Sequence, residues 1–416
     1  MKKILRFLFL ILSVTTFSQE TLNTMFYNVF KFPVSLPQNR QLILRDILDD
    51  YKPDLFMICE LVTENGADLI LNTSLQNQPD KFARALFVAD TTKLDDPLQT
   101  MVFYNTRKLT LVNQQRIPTV YRDINQYSFQ LNTTSNDPIH LEVFVAHLKS
   151  STGPANRQMR LEMVQEVTKS LKNLTQPNTY VLFAGDFNFY NSSEPAYQEI
   201  LNPENAILMV DPLNAPGKWQ NNPDFSYLHT QSTRVSNVGF GSGTNAGAGG
   251  GLDDRFDFIM MSDNFKNSTR LSYVNDSYKA YGNNGNCLDK DVKDPDCTGI
   301  YSQTLRNNLY NMSDHLPVVA QFKIHESLST KTIDSKPFIW LQSSTITNEK
   351  ITIGIDKSRL NAQNNTLFIY NSVGQLVQTV PLNNQSSITI DCQTLASGVY
   401  YIKTKESNEV LKFIKK

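Results

Sequence analysis

The stretch Tyr180-Val181-Leu182-Phe183-Ala184-Gly185-Asp186-Phe187-Asn188 decides how the chain reads. Tyr180–Ala184 is a short apolar run of strand length. It passes directly into Gly185, a carboxylate and, two residues on, an amide. A core wants neither polar group, so their place at a strand end needs a reason. A lone aspartate in such a position is more often a satisfied structural group. The pattern has to recur before it points to chemistry.

It recurs along the middle of the chain. Asn28 follows Met25-Phe26-Tyr27, and Glu60 follows Phe56-Met57-Ile58-Cys59. His147 follows Val143-Phe144-Val145-Ala146. Asp257 is embedded in Arg255-Phe256-Asp257-Phe258-Ile259, and Asp314-His315 precedes Leu316-Pro317-Val318-Val319. Carboxylates and imidazoles converging on one sheet edge can hold a hard cation and move protons. Strands are predicted over 24–30, 55–59, 101–104, 141–146, 180–184, 256–261 and 316–324. Helices are predicted over 40–51 and 157–171, where Leu44, Ile47 and Leu48, then Leu161, Val164, Val167 and Leu171, recur at helical spacing. Strands mixed with helices over this length predict one large α/β domain, its sheets covered by helices.

The ordered set Asn28, Glu60, His147, Asp186-x-Asn188, Asp257, Asp314-His315 resembles the endonuclease/exonuclease/phosphatase superfamily, on its deoxyribonuclease and sphingomyelinase side, across residues 20–325. The resemblance implies a four-layer α/β sandwich, two central β-sheets flanked by helices, with the site at one edge. It implies Mg²⁺ (with Mn²⁺ or Ca²⁺ as alternatives) held by Glu60 with Asn28, and Asp314 completing the shell. It makes His315 the general base or phosphate-binding histidine, and Asp257 the carboxylate that orients it. His147 becomes a phosphate-oxygen donor or an acid for the leaving group. Asp186 and Asn188 position the attacking water and the phosphate. Between Asp186 and His315 the choice of proton acceptor stays open. Phe30 stands where apurinic endonucleases carry an acid, and His147 where they carry tyrosine, which weakens an abasic-site repair reading.

The remaining polar candidates are less decisive. Arg234 is a candidate for a substrate phosphate, with a surface salt bridge as the alternative; His229 is ambiguous, and His140 and His325 read as surface residues. Residues 235–251 hold seven glycines but no lysine after them, so no phosphate-cradling P-loop is expected. They read as a mobile loop that could also serve as a site flap. Cys287 and Cys297 are candidates for a disulfide, Cys59 for a buried thiol.

The ends of the chain read as addresses. Lys2, Lys3 and Arg6, then the apolar run 7–12 and Thr16-Phe17-Ser18, form the layout of a signal peptide over 1–18. Residues 19–325 are the catalytic domain and 326–344 a linker. Residues 345–416 form a small all-β module of short β-branched runs. Its Leu395-Ala396-Ser397-Gly398-Val399-Tyr400 run and basic tail resemble a type IX secretion sorting domain. That implies passage through the periplasm and outer membrane by the type IX machinery to a secreted or surface location. No later run approaches a membrane span, and a monomer is expected.

The formal net charge of -1 averages unlike parts. Residues 19–325 carry 26 Lys/Arg against 33 Asp/Glu, so -7. The reading is a secreted phosphodiester hydrolase, first an extracellular endonuclease acting on nucleic acid. The alternatives are a sphingomyelinase-like or small-molecule phosphoesterase, and an inactive surface-binding protein. The acidic domain tempers the nucleic-acid reading, because long polyanions usually meet basic surface.

Overall fold

In the computed structural model, residues 20–416 are described except 93–97, 175, 177–178, 244–245, 329–338, 344, 358–359, 361–364, 384 and 405–409. The predicted signal peptide lies outside the described residues. Among them, no helix is long and apolar enough to cross a membrane. The chain divides into two compact units, residues 1–330 and 331–416.

The first unit is built on two mixed sheets. One runs in the order Leu271–Tyr273, Val318–Ile324, Glu20–Phe32, Leu55–Leu61, Gln99–Asn105, Phe82–Arg84. The other runs Leu109–Ile117, Ile124–Leu131, His140–His147, Thr179–Asp186, Asp257–Ser262, Met209–Val210. Side chains alternate across a strand, and Thr179–Asp186 uses both faces. Tyr180, Leu182 and Ala184 enter the core between the sheets with Met25, Tyr27 and Val143. Val181 and Phe183 face the other way, onto Met163, Val164, Val167 and Leu171 of the Pro154–Leu171 helix. On the far side, Leu44, Ile47 and Leu48 of the Arg40–Tyr51 helix join the first core. This is the four-layer α/β sandwich expected above.

The sequence reading missed the hairpin Leu109–Ile117/Ile124–Leu131 and the helix Gln303–Met312. The first is an edge strand with the polar run Asn113-Gln114-Gln115-Arg116, so it lacks an apolar signature. The second buries only Leu305, Leu309 and Met312 plus the polar Arg306. A disulfide joins Cys287 and Cys297, while Cys59 and Cys392 are buried free thiols.

The second unit is an all-β module. It has a three-stranded sheet, Ile339–Leu341, Lys350–Ile355, Ser387–Asp391, and a five-stranded one, Ile346–Thr347, Leu411–Lys415, Gly398–Lys403, Thr366–Asn371, Leu376–Pro381. Ile353, Ile369, Ile390, Ile402 and Phe413 fill its core. One correction concerns the linker, set at 326–344. Ile339–Leu341 is a strand paired with Lys350–Ile355 and belongs to this module. At the other end Glu326 pairs with Arg270, and Ser327 O accepts from Thr134 N.

Candidate functional site

Strand register places the polar residues side by side. His147 and Asp186 are partners on parallel strands, and Asp186 and Asp257 are partners on antiparallel ones. In the other sheet Asn28 pairs with Cys59, directly before Glu60. The ladder shifts register around Glu60, and its φ of 61° is left-handed. Such a bulge re-aims a side chain that regular pleating would send elsewhere. Asn188, at φ 54°, turns back so that its Nδ2 donates to Asp186 Oδ1 at 2.9 Å. A non-glycine residue in this region costs about 1–3 kcal/mol, which the surrounding packing must offset.

Glu60, His147, Asp186, Asn188, Asp314 and His315 line one cleft of about 380 Å³, and Asn28 and Asp257 stand behind them, in contact with Glu60 and Asp186 and with His315. Asn28 Nδ2 donates to Glu60 Oε1 and to Asp186 Oδ2, each at 3.0 Å. His147 Nε2 is 3.5 Å from Asp186 Oδ2 and 4.0 Å from Glu60 Oε1. His315 Nδ1 lies 2.8 Å from Asp257 Oδ2. Its Nε2 has the Gln231 amide at 2.5 Å and Asp186 Oδ2 at 3.7 Å. Asp314 Oδ2 accepts from Ala248 N at 2.6 Å. The glycine-rich loop is therefore also a wall of the cleft, through Gly247 and Ala248. A Cβ on Gly247 would come within 2.8 Å of Asp314 Oδ2.

Burial sets the charge states. It pushes the Glu60 carboxyl up, and nearby Asp314 adds to the rise. It also pushes Asp186 up, against the pull of His315. Burial alone would lower the His315 imidazole. The charges of Asp257 and Asp186 outweigh that and hold it well above its usual value. His147 is driven well below its usual value, first by burial and then by the charge of Arg122. The two imidazoles therefore differ: the acids around His315 favour its cationic form, and the surroundings of His147 favour its neutral form.

A divalent cation fits this set. Ligand atoms of Glu60, His147 and Asp186 lie within 4.8 Å of one another, as do those of Asp186, Asp257 and His315. Asp257 Oδ1 and Asp314 Oδ1 are buried without a hydrogen-bond partner among the described residues. Crowded, partly unsatisfied carboxylates are what a hard cation would relieve. Asn28 does not fit as a ligand in this geometry. It turns its amide nitrogen to the acids, and its Oδ1 accepts from Phe30 N at 3.0 Å.

Arg234 is not brought to the cleft. It is wholly buried, its guanidinium 3.5 Å from the Phe240 ring centroid and its Nε donating to Tyr310 O. His229 is also internal, with Nε2 2.8 Å from Trp219 O.

Three supports escaped the sequence reading. Arg40 Nε donates to Met312 O at 2.9 Å and its Nη1 to Phe30 O at 2.8 Å, tying together the segments that carry Asn28 and His315. Arg160 donates to Glu194 and to the carbonyls of Lys149 and Ser151. Gln231 bridges to His315 in register. Buried arginines and a loop glutamine carry no local signal of these roles.

Several solved structures resemble the chain at low identity. The catalytic domain of human nocturnin shares 15% identity at a TM-score of 0.45, covering 73% of this chain and 94% of that one. An endonuclease/exonuclease/phosphatase family protein from Bacteroides thetaiotaomicron shares 15% at 0.44, covering 74% and 99%. A mannosyl-6-phosphatase from the same organism shares 14% at 0.43, covering 72% and 99%. No curated protein sequence matches. Residues 347–416 match the family of secretion system C-terminal sorting domains, and the chain is accordingly one directed by secretion machinery to the cell surface or the extracellular space.

Proposed function

We propose that the chain is an exported, divalent-cation-dependent phosphoesterase that hydrolyses a phosphodiester, with extracellular nucleic acid as its substrate. The observation that carries this reading is the register of His147, Asp186 and Asp257 on three neighbouring strands, facing Glu60 and His315 across one cleft. Glu60 and Asp314 would hold the cation, with His147 beside them. When bound there, it supplies Lewis-acid polarisation of the phosphoryl group and offsets developing charge.

The residues themselves have separable tasks. Cationic His315, fixed by Asp257, donates from Nε2 to a phosphoryl oxygen. That leaves Asp186 to accept the proton of the attacking water. Its carboxylate is fixed by Asn28 and Asn188 at the cleft, where a general base must stand to reach the water. Asn188 holds Asp186 in place through Oδ1. A small phosphoester is the second reading, favoured by the -7 charge of residues 19–325.

The test is turnover by the full chain of plasmid DNA, RNA, sphingomyelin and bis(p-nitrophenyl) phosphate, with Mg²⁺ and with chelator. Metal-dependent nicking of DNA or RNA is expected. Absence of metal-dependent turnover of every substrate would overturn the proposal, and turnover of only the small diester would favour the second reading.

A further inference from the structure

The cleft is not lined by polar groups alone. Phe30, Leu98, Tyr190 and Phe256 share its wall with the acids and imidazoles. Phe30 and Phe256 are 4% and 3% exposed and so have almost no surface to offer a ligand. Tyr190 is the aromatic residue of this group that stays half-buried.

Its position is held from several sides. The Phe256 ring meets it edge-on, with centroids 5.0 Å apart and planes at 75°. Tyr190 N donates to Glu194 Oε1 at 3.0 Å. Tyr190 O accepts from Trp219 N at 3.2 Å and Gln220 N at 3.4 Å. Tyr190 stands two residues after Asn188 and lines the same cleft as Asp186. A ring so braced loses little conformational freedom when something packs on it.

Arg160, paired with Glu194, also braces the ring. Its guanidinium carbon lies 5.8 Å from the Tyr190 centroid. Stacking of a base on an aromatic ring is worth about 1–3 kcal/mol and tolerates any base.

We infer that the Tyr190 ring is a platform on which a nucleobase next to the scissile phosphate stacks. This rests on the phosphodiesterase reading for the position of the phosphate, and within that reading it favours substrates that carry a base. Tyr190 is thus a specificity-determining residue rather than a participant in bond cleavage.

The experiment is equilibrium binding to the full chain by calorimetry, with chelator present to block hydrolysis. The two probes are a thymidine tetranucleotide and the same backbone with abasic units. The wild type is expected to bind the base-bearing probe about tenfold more tightly, in line with stacking of one base. Tyr190→Ala should abolish that preference without weakening the abasic probe. Tyr190→Phe should retain it. No preference in the wild type, or an equal loss for both probes in Tyr190→Ala, would overturn the platform. Because binding is read without turnover, a failure of the hydrolase assay and a failure of the platform are separately visible.

Discussion

Arg160 and Glu194 form an ion pair that water does not reach: Nη2 and Nε stand 2.7 and 2.9 Å from Glu194 Oε2, and both side chains are buried. The pair joins the two walls of the cleft. Arg160 also holds the carbonyls of Lys149 and Ser151, and Glu194 also holds Tyr190 N. Arg160→Met should cost about 3–5 kcal/mol in urea unfolding, because it strands a buried carboxylate. Arg160→Met with Glu194→Gln should recover part of that loss. A single variant as stable as the wild type would show that the pair holds nothing together.

Asp257 Oδ2 lies 2.8 Å from His315 Nδ1, and it is through that imidazole that its carboxylate acts on the cleft. Asp257→Asn removes the charge that keeps the imidazole protonated and oriented. Turnover of bis(p-nitrophenyl) phosphate should fall by about 10²–10⁴-fold with circular dichroism unchanged. Activity within a factor of two of the wild type would exclude the orienting role.

Cation binding can be read without catalysis. A ligand that binds only the folded state raises stability by mass action, about 2.7 kcal/mol at a hundredfold excess over Kd. Mg²⁺ should therefore raise the Tm of the wild type, and chelator should reverse the rise. Glu60→Gln should lose most of it. An unchanged response in that variant would remove Glu60 from the cation site.

Asp254 offers a pH test away from the proposed ligands. Burial pushes its carboxyl up to about 7, with Asp253 adding to the rise and His315 opposing it. Its folded value thus lies above the unfolded value of about 4. The folded state then binds the proton more tightly, so this contribution is present below about pH 4 and is lost as pH rises through 7. Asp254→Asn removes the loss. Its Tm should exceed that of the wild type by about 2–4 °C at pH 8 and match it at pH 4. The opposite ordering at pH 8 would mean that the ionised carboxylate is stabilised in the fold.

Much of this molecule is written locally in its chain. The apolar run Tyr180–Ala184 is a strand because its side chains suit a sheet buried on both faces, and the helix at Arg40–Tyr51 follows from Leu44, Ile47 and Leu48. The strand-end residues Asn28, Glu60, His147, Asp186, Asp257 and His315 were legible for the same reason: each breaks an apolar pattern that nearby residues define. The C-terminal strands were legible through their alternation, although Ile339–Leu341, too short to show any period, was read as linker.

What the sequence could not supply is who meets whom. Asn28 and Asp186 are 158 residues apart, and only the face-to-face packing of two sheets brings the amide between two carboxylates. That contact also decides that Asn28 presents nitrogen rather than oxygen. Arg234 looked like a phosphate ligand because an arginine in a polar loop normally faces water, yet Phe240 and Tyr310 O enclose it. Arg40 and Arg160 looked ordinary for the converse reason. A buried guanidinium is tolerable only where carbonyls and a carboxylate from distant segments meet its donors. The kinds of chemistry available were thus set by residue types at strand ends. Their charge states, their partners and the shape of the cleft came from tertiary structure, because desolvation and hydrogen-bond geometry exist only once the sheets have packed.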